Sequence, residues 1–214
     1  MTVRIEIVSD FVCPYCWLGK KRMEAALRLR PDVQAVTVWA PFELDPDTPE
    51  GGVPYLDYMR GIFGGGDEAG ARREQAWAGL AEAGRAVGAE YHFDRIAIRP
   101  NTLNAHRLMR WAQIAGAGDA VAEALFAANF RDGRDIGDAA VLSEIAQAAG
   151  MDAAAVRARL DSDEDRDAVR AEEAAFRDMG VRGVPTFIID RRVGLSGAQD
   201  PQVLAQAMDR ALAA

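Results

Sequence analysis

The stretch Phe11-Val12-Cys13-Pro14-Tyr15-Cys16-Trp17 holds both cysteines of a 214-residue chain, two residues apart and close to its start. Such a pair can be a structural staple, half of a metal site or a working redox couple. A staple contributes little here, because closing so short a loop removes only about 2 kcal/mol of unfolded-chain entropy. The chain does not need one, since 50% of its residues are hydrophobic, enough for an ordinary core. Zinc calls for about four nitrogen or sulfur ligands. Beyond the two cysteines the soft donors are His92 and His106, distant in sequence and not spaced as a ligand pair, so no metal is expected.

The flanks favour redox chemistry. Before the cysteines, Val3, Ile5 and Ile7 alternate with Arg4 and Glu6, the period of a short strand. After them a helical pattern runs to Arg30, where Pro31 ends it. Cys13 therefore falls at a strand-to-helix junction, with Pro14 in the first helical position, where its missing N–H costs nothing. Free N–H groups and the positive end of the helix dipole favour a thiolate at Cys13 and make it the nucleophile. Cys16 lies one turn in, on the face continued by Gly19, Met23 and Ala26/Leu27, and is expected to be the shielded, resolving thiol. Pro14 and Tyr15 supply no charge and act as supports of the dithiol.

A second strand reads at residues 33–40, followed by the breakers Pro41, Pro46 and Pro49. Residues 51–70 read as loop, with Gly51-Gly52 and Gly64-Gly65-Gly66 framing Tyr55, Tyr58 and Phe63 as an apolar lip for an unfolded substrate. Helices are predicted at 71–88, 102–115, 119–130, 138–149, 153–160 and 164–178. Asp138 is the cap of the fourth and Gly150 its stop. Strand signals return in Val184–Asp190 and in 193–195, and a last helix opens at Asp200-Pro201. Strand, helix and strand at one end, with two strands and a helix at the other, give each end half a sheet. Neither buries a core alone, so 1–45 and 165–214 are expected to form one domain around an insertion at 46–164. Trp17, Trp39 and Trp111 are expected in the core.

Three separated segments in this order, SDFVCPYCWLGK (9–20), RPNTLNAHRLMRWA (99–112) and GVRGVPTFIID (180–190), resemble the FrnE-like group of the DsbA-like thioredoxin superfamily over essentially the whole chain. The resemblance implies an α/β thioredoxin-like fold with an inserted all-helical domain, and a protein disulfide oxidoreductase activity. It implies Cys13 as the attacking cysteine, Cys16 as the resolving one and Pro185 as a cis-proline facing them. A cis bond at Val184-Pro185 exposes the Val184 backbone at a sheet edge, where an extended substrate can pair. Asn101 or Thr102 reads as a helix cap. The functional alternative puts Asn101 and His106 on a helix roofing the dithiol, where they line the substrate cleft.

The architecture also resembles kappa-class glutathione transferases and 2-hydroxychromene-2-carboxylate isomerases, which use bound glutathione and do not need a Cys-x-x-Cys pair. A glutathione-dependent isomerase or transferase is therefore the competing expectation, and a non-catalytic, chaperone-like binding module is a third. The redox reading needs no cofactor beyond the dithiol, with glutathione as a possible co-substrate and protein or peptide thiols and disulfides as partners. With 25 basic and 33 acidic residues the net charge is −8 and no basic patch stands out, which argues against nucleic acid. No segment is long and apolar enough for a membrane. The charged start, Met1-Thr-Val-Arg-Ile-Glu-Ile, is unlike an export signal. A cytoplasmic monomer or homodimer is expected.

Overall fold

The computed structural model describes residues 1–213. The first strand, β1 (Thr2–Ser9), buries Val3, Ile5 and Ile7 on one face and Val8 on the other. Helix α1 (Pro14–Leu29) follows, opened by Cys13 in extended conformation and closed by Arg30 before Pro31. It delivers the chain to β2 (Gln34–Pro41), which lies parallel to β1. Parallel neighbours cannot be joined by a tight turn, so a helix of this length is the required crossover.

The middle of the chain then departs from its expected form. A two-residue strand, β3 (Val53–Pro54), leads into α2 (Tyr55–Phe63) and α3 (Asp67–Arg85), where a loop had been read over 51–70. The glycines misled that reading because they lie between elements, Gly52 before β3 and Gly64 and Gly66 between α2 and α3, all three at positive φ. The apolar positions between them, Tyr55, Tyr58/Met59 and Ile62/Phe63, are spaced as one helical stripe. After a 3₁₀ turn at Phe93–Arg95, β4 (Ile98–Arg99) pairs antiparallel with β3. Helices α4 (Leu103–Ile114), α5 (Gly118–Phe130), α6 (Ala139–Ala148), α7 (Ala153–Leu160) and α8 (Arg166–Asp178) follow. Asp138 caps α6 as expected, accepting from the Ala140 N–H at 2.7 Å.

The chain closes with β5 (Thr186–Ile189), β6 (Val193–Ser196) and α9 (Pro201–Ala213). The sheet order is β2-β1-β5-β6, so the two ends of the chain interleave in one sheet. Residues of odd number, Val3, Ile5, Ile7, Phe187 and Ile189, face α1 and α9, where Met23, Leu204, Ala207 and Met208 are buried. Val8 and Ala40, on the opposite face, pack with Phe42, Val181 and Phe176 of α8. The larger core does not stop at the sheet. Phe11 meets Phe126 at 5.1 Å between ring centroids and Trp17 stacks with Phe130 at 6.3 Å, joining the sheet to the intervening helices. Trp17, Trp39 and Trp111 are all buried in it.

Polar ties hold the same junction. The Glu123 carboxylate of α5 accepts from Lys20 and is paired with Lys21, each at 2.7 Å, both on α1. Gln113 of α4 clamps the outer edge of β2, accepting from the Trp39 N–H at 2.7 Å and donating to the Trp39 carbonyl at 3.0 Å. Arg107 is fully buried and donates to the carbonyls of Arg159, Leu160, Ser162 and Glu164. Its guanidinium therefore holds the turn between α7 and α8 against α4.

Candidate active site

The dithiol sits where β1 gives way to α1. Asp10 ends the strand and its carbonyl accepts from the Cys13 N–H at 3.1 Å; the Cys13 carbonyl accepts from the Cys16 N–H at 3.0 Å. These two bonds wind Cys13 into the N-cap position and Pro14 into the first turn. Both cysteines are free thiols. Cys13 is 6% exposed and Cys16 1%. Burial pushes the Cys16 thiol well above its ordinary value, the adjoining Cys13 sulfur adds to this, and Ser9 and Asp10 pull more weakly the other way. A protonated, shielded thiol at Cys16 is what a resolving cysteine needs before a mixed disulfide forms.

The Val184-Pro185 bond is cis, as the resemblance implied, and the Val184 carbonyl accepts from the Cys13 thiol at 3.7 Å. Two residues from opposite ends of the chain thus meet at the sulfur. One expectation needs correction. Val184 does not present its backbone from a sheet edge, because β5 is an inner strand flanked by β1 and β6. It presents it from the end of β5, where the Pro185 carbonyl is already taken by the Gly197 N–H at 2.7 Å. Gly19 makes this approach possible, since a Cβ there would lie 2.9 Å from Pro185 Cγ and 3.1 Å from Phe187 Cζ.

A cavity of about 270 Å³ opens beside Cys13, between α1 and the helices that follow β2. Its wall includes Cys13, Pro14 and Tyr15 together with Tyr55, Tyr58 and Phe63, so the three aromatics expected on a loop stand on α2 instead and share a cavity with Cys13. Behind them runs a graded stack: Tyr55 on Trp77 at 5.9 Å, Trp77 on Phe93 at 5.2 Å and Phe93 on Tyr91 at 5.4 Å, the planes within 14° of parallel. Tyr91 ends the stack by donating to the Pro14 carbonyl at 2.7 Å, which ties the intervening segment to the dithiol turn. Burial raises the Tyr91 phenol, which keeps it a donor.

Neither Asn101 nor His106 lines this cavity, and the reading that placed them on the cleft is corrected to that extent. The Asn101 amide is used locally, donating to the Thr48 carbonyl at 2.7 Å and accepting from the Leu103 N–H at 3.0 Å, close to the cap role. His106 turns towards Asp10 and packs on Phe11, its Nε2 lying 3.6 Å from Asp10 Oδ1. The short Asn101 side chain serves the first turn of α4, while His106 is drawn to a buried carboxylate.

Two polar residues that sequence reasoning missed do line the cavity: Arg99 and Asn129. Arg99 is 3% exposed, stacks on Tyr58 at 4.2 Å and donates through Nη2 to Asp45 at 2.6 Å. The Tyr58 hydroxyl donates to the same carboxylate oxygen at 2.6 Å, and burial followed by Asp45 pushes that phenol up to about 12. Asn129 is 2% exposed and donates to the Phe11 carbonyl at 3.4 Å. The Arg99 Nε and Asn129 Oδ1 are buried without a hydrogen-bond partner. The signal for Asn129 was a lone amide in the otherwise apolar end of α5; for Arg99 it was a cation directly before Pro100.

Comparison with known proteins agrees with this geometry. The probable DsbA oxidoreductase SCO1869 from Streptomyces coelicolor superposes with a TM-score of 0.85 at 37% identity, over 99% of this chain and 90% of that one. Two structures share the fold at lower identity and differ in chemistry. The cytosolic disulfide reductase DsbM from Pseudomonas aeruginosa matches at TM-score 0.63 and 17% identity, over 98% and 95% of the two chains. A 2-hydroxychromene-2-carboxylate isomerase matches at 0.65 and 15%, over 97% and 95%. The model of the DSBA-like thioredoxin domain matches residues 4–209, and the chain belongs to that family.

Proposed function

We propose that the protein is a cytoplasmic thiol–disulfide oxidoreductase and isomerase acting on protein or peptide disulfides through Cys13 and Cys16. The observation that carries this reading is the asymmetric dithiol: both thiols are buried, but Cys13 stands at the helix N-cap on a cavity wall, while Cys16 lies one turn in and off that wall. The Cys13 sulfur attacks one sulfur of the substrate disulfide, whose S–S bond breaks, and the departing sulfur leaves as a thiol with the proton from Cys13. Cys16 then gives up its proton and attacks the Cys13 sulfur, so that the second substrate thiol leaves and the enzyme holds a Cys13–Cys16 disulfide. Two equivalents of a low-molecular-weight thiol such as glutathione return it to the dithiol. In the isomerase direction a second substrate thiol attacks the mixed disulfide in place of Cys16. The cytosolic relative of the same fold supports the cytoplasmic placement.

The cysteine pair also separates this reading from a glutathione-dependent isomerase, where the cofactor brings the sulfur. With scrambled ribonuclease as substrate, Cys13→Ser is expected to abolish turnover, because a hydroxyl has no S–S chemistry. Cys16→Ser is expected to accumulate mixed disulfides on non-reducing electrophoresis. Iodoacetamide is expected to modify Cys13 before Cys16 in the folded, reduced protein. Full turnover by Cys13→Ser, or prior labelling of Cys16, rejects the assignment.

A further inference from the structure

A polypeptide disulfide does not fit where Cys13 stands. Reacting atoms must come within about 3–3.5 Å of one another in the right alignment, yet Cys13 is 6% exposed and lies on the wall of a cavity of about 270 Å³. A small disulfide fits that space. A chain running on both sides of the reacting sulfur does not.

Helix α2 is what covers the sulfur. Five of its nine residues, Tyr55, Tyr58, Met59, Ile62 and Phe63, line the cavity. Only Tyr55 among the nine is buried, so the helix owes little to the core and depends on how its ends are held.

The two ends are held differently. At the start, a Cβ on Gly52 would lie 2.4 Å from Ile98 Cγ2 and 2.6 Å from the Arg99 carbonyl oxygen, so the backbone there is pressed against β4. β3 pairs with β4, the Tyr55 N–H donates to the Ala97 carbonyl at 2.9 Å, and the Tyr55 ring stacks on Trp77 at 5.9 Å. At the other end Gly64, Gly65 and Gly66 follow one another, and a Cβ on Gly65 or Gly66 meets nothing within 4 Å. Ile62 is 58% exposed, and one surface bond, from Arg72 to the Phe63 carbonyl at 3.2 Å, crosses to α3. Between these ends a polar cluster closes the helix down. The Tyr58 hydroxyl and Arg99 Nη2 each donate to Asp45 Oδ2 at 2.6 Å, and the guanidinium lies 4.2 Å from the Tyr58 ring. Bonds to a carboxylate at such distances are the strong kind.

We infer that α2 is a hinged lid that selects substrates by size. It pivots at Val53–Tyr55, swings its Gly64–Gly66 end away from Cys13, and is latched shut by Tyr58 on Asp45. Polypeptide disulfides react only when it is open, and small disulfides react in either state. The inference rests on the thiol–disulfide reading and adds how its substrates gain access. Glycines that pack against nothing absorb the backbone change without strain. The rate with a polypeptide then scales with the fraction of molecules that are open.

The test uses full-length protein carrying Cys16→Ser, so that one exchange occurs and stops. Adduct formation is timed with scrambled ribonuclease and, separately, with cystamine. The ratio of the two rates is the readout, because any change in the reactivity of the Cys13 sulfur cancels from it. Adding Asp45→Ala removes the acceptor of both latch bonds from a position off the cavity wall and is expected to raise the ratio about tenfold. Tyr58→Phe keeps the ring, loses one bond and should raise it about fivefold. Gly61→Ala, inside α2 where a Cβ meets nothing within 4 Å, separates swinging from unwinding. The methyl favours the helical state about fivefold, so a lid that swings as a unit keeps its ratio and one that unwinds loses that factor. A ratio unmoved by both latch variants, with both substrates still reacting, overturns the lid and leaves the redox function standing. A fivefold drop in Gly61→Ala overturns the hinge at Gly64–Gly66. Inertness towards cystamine and ribonuclease alike overturns the redox function itself.

Discussion

Replacing Gly19 by alanine tests how closely α1 must approach the Pro185 loop. By helix propensity alone the change is favourable, since alanine in a helix interior is better than glycine by about 1 kcal/mol. The packing opposes it. The new methyl would stand 2.9 Å from Pro185 Cγ and 3.1 Å from Phe187 Cζ, inside normal contact distance for both. Phe187 cannot yield cheaply because it is completely buried, and the Pro185 ring can shift only by its pucker. Overpacking of this kind costs about 1–3 kcal/mol. The steric cost exceeds the gain in propensity, leaving a net loss of about 1 kcal/mol, or about 2–4 °C in Tm for a chain of this length. Gly79 provides the internal control. It lies within α3, and a Cβ there meets nothing within 4 Å, so Gly79→Ala should gain about 1 kcal/mol by propensity alone. Urea unfolding of both variants under reducing conditions measures the pair. If Gly19→Ala is stabilised alongside Gly79→Ala, the close contact between α1 and the Pro185 loop is not as described.

Two further outcomes follow from charged groups at the element junctions. Arg107→Leu leaves four carbonyls of the turn between α7 and α8 without their donor and is expected to cost about 3 kcal/mol or more in urea unfolding. Arg107→Lys should rescue only part of that, because one ammonium cannot span the fork that a guanidinium does; a loss under about 1 kcal/mol in Arg107→Leu contradicts the role. Glu123→Gln should cost about 1 kcal/mol near neutral pH, a modest figure because the carboxylate is 34% exposed. Burial alone would raise the Glu123 carboxyl, but hydrogen bonds from Lys20 and Lys21 outweigh it and hold it below the ordinary 4.5. A depressed acid contributes its stability above that ordinary value and loses it as the pH falls through the lower folded-state value. The stability gap between parent and variant should therefore close on acidification below about pH 4.5, and a gap that widens there refutes the pairing.

The sequence by itself determined the local chemistry and much of the topology. Alternating Val3, Ile5 and Ile7, Pro14 in the first turn of α1 and Pro31 after its end place Cys13 at a helix N-cap and Cys16 one turn in, because strand period, helix start and helix stop are all written within a few residues. The strand signals at both ends required a shared sheet, and the order β2-β1-β5-β6 supplies it. What the sequence misread, it misread through composition: the glycines around Tyr55–Phe63 suggested a loop although they only punctuate β3, α2 and α3. The cavity was beyond local reading altogether. Its wall is assembled from Cys13, Tyr58, Trp77, Phe93, Arg99 and Asn129, which no periodicity relates, and only the packing of α2, α3 and α5 over the dithiol brings them together. Packing likewise separated Asn101 and His106 from the cleft, one spent on the first turn of α4 and the other turned to Asp10. A side chain's surroundings are set by which elements cover it, and that is a property of tertiary contacts between distant segments rather than of the residues beside it in the chain.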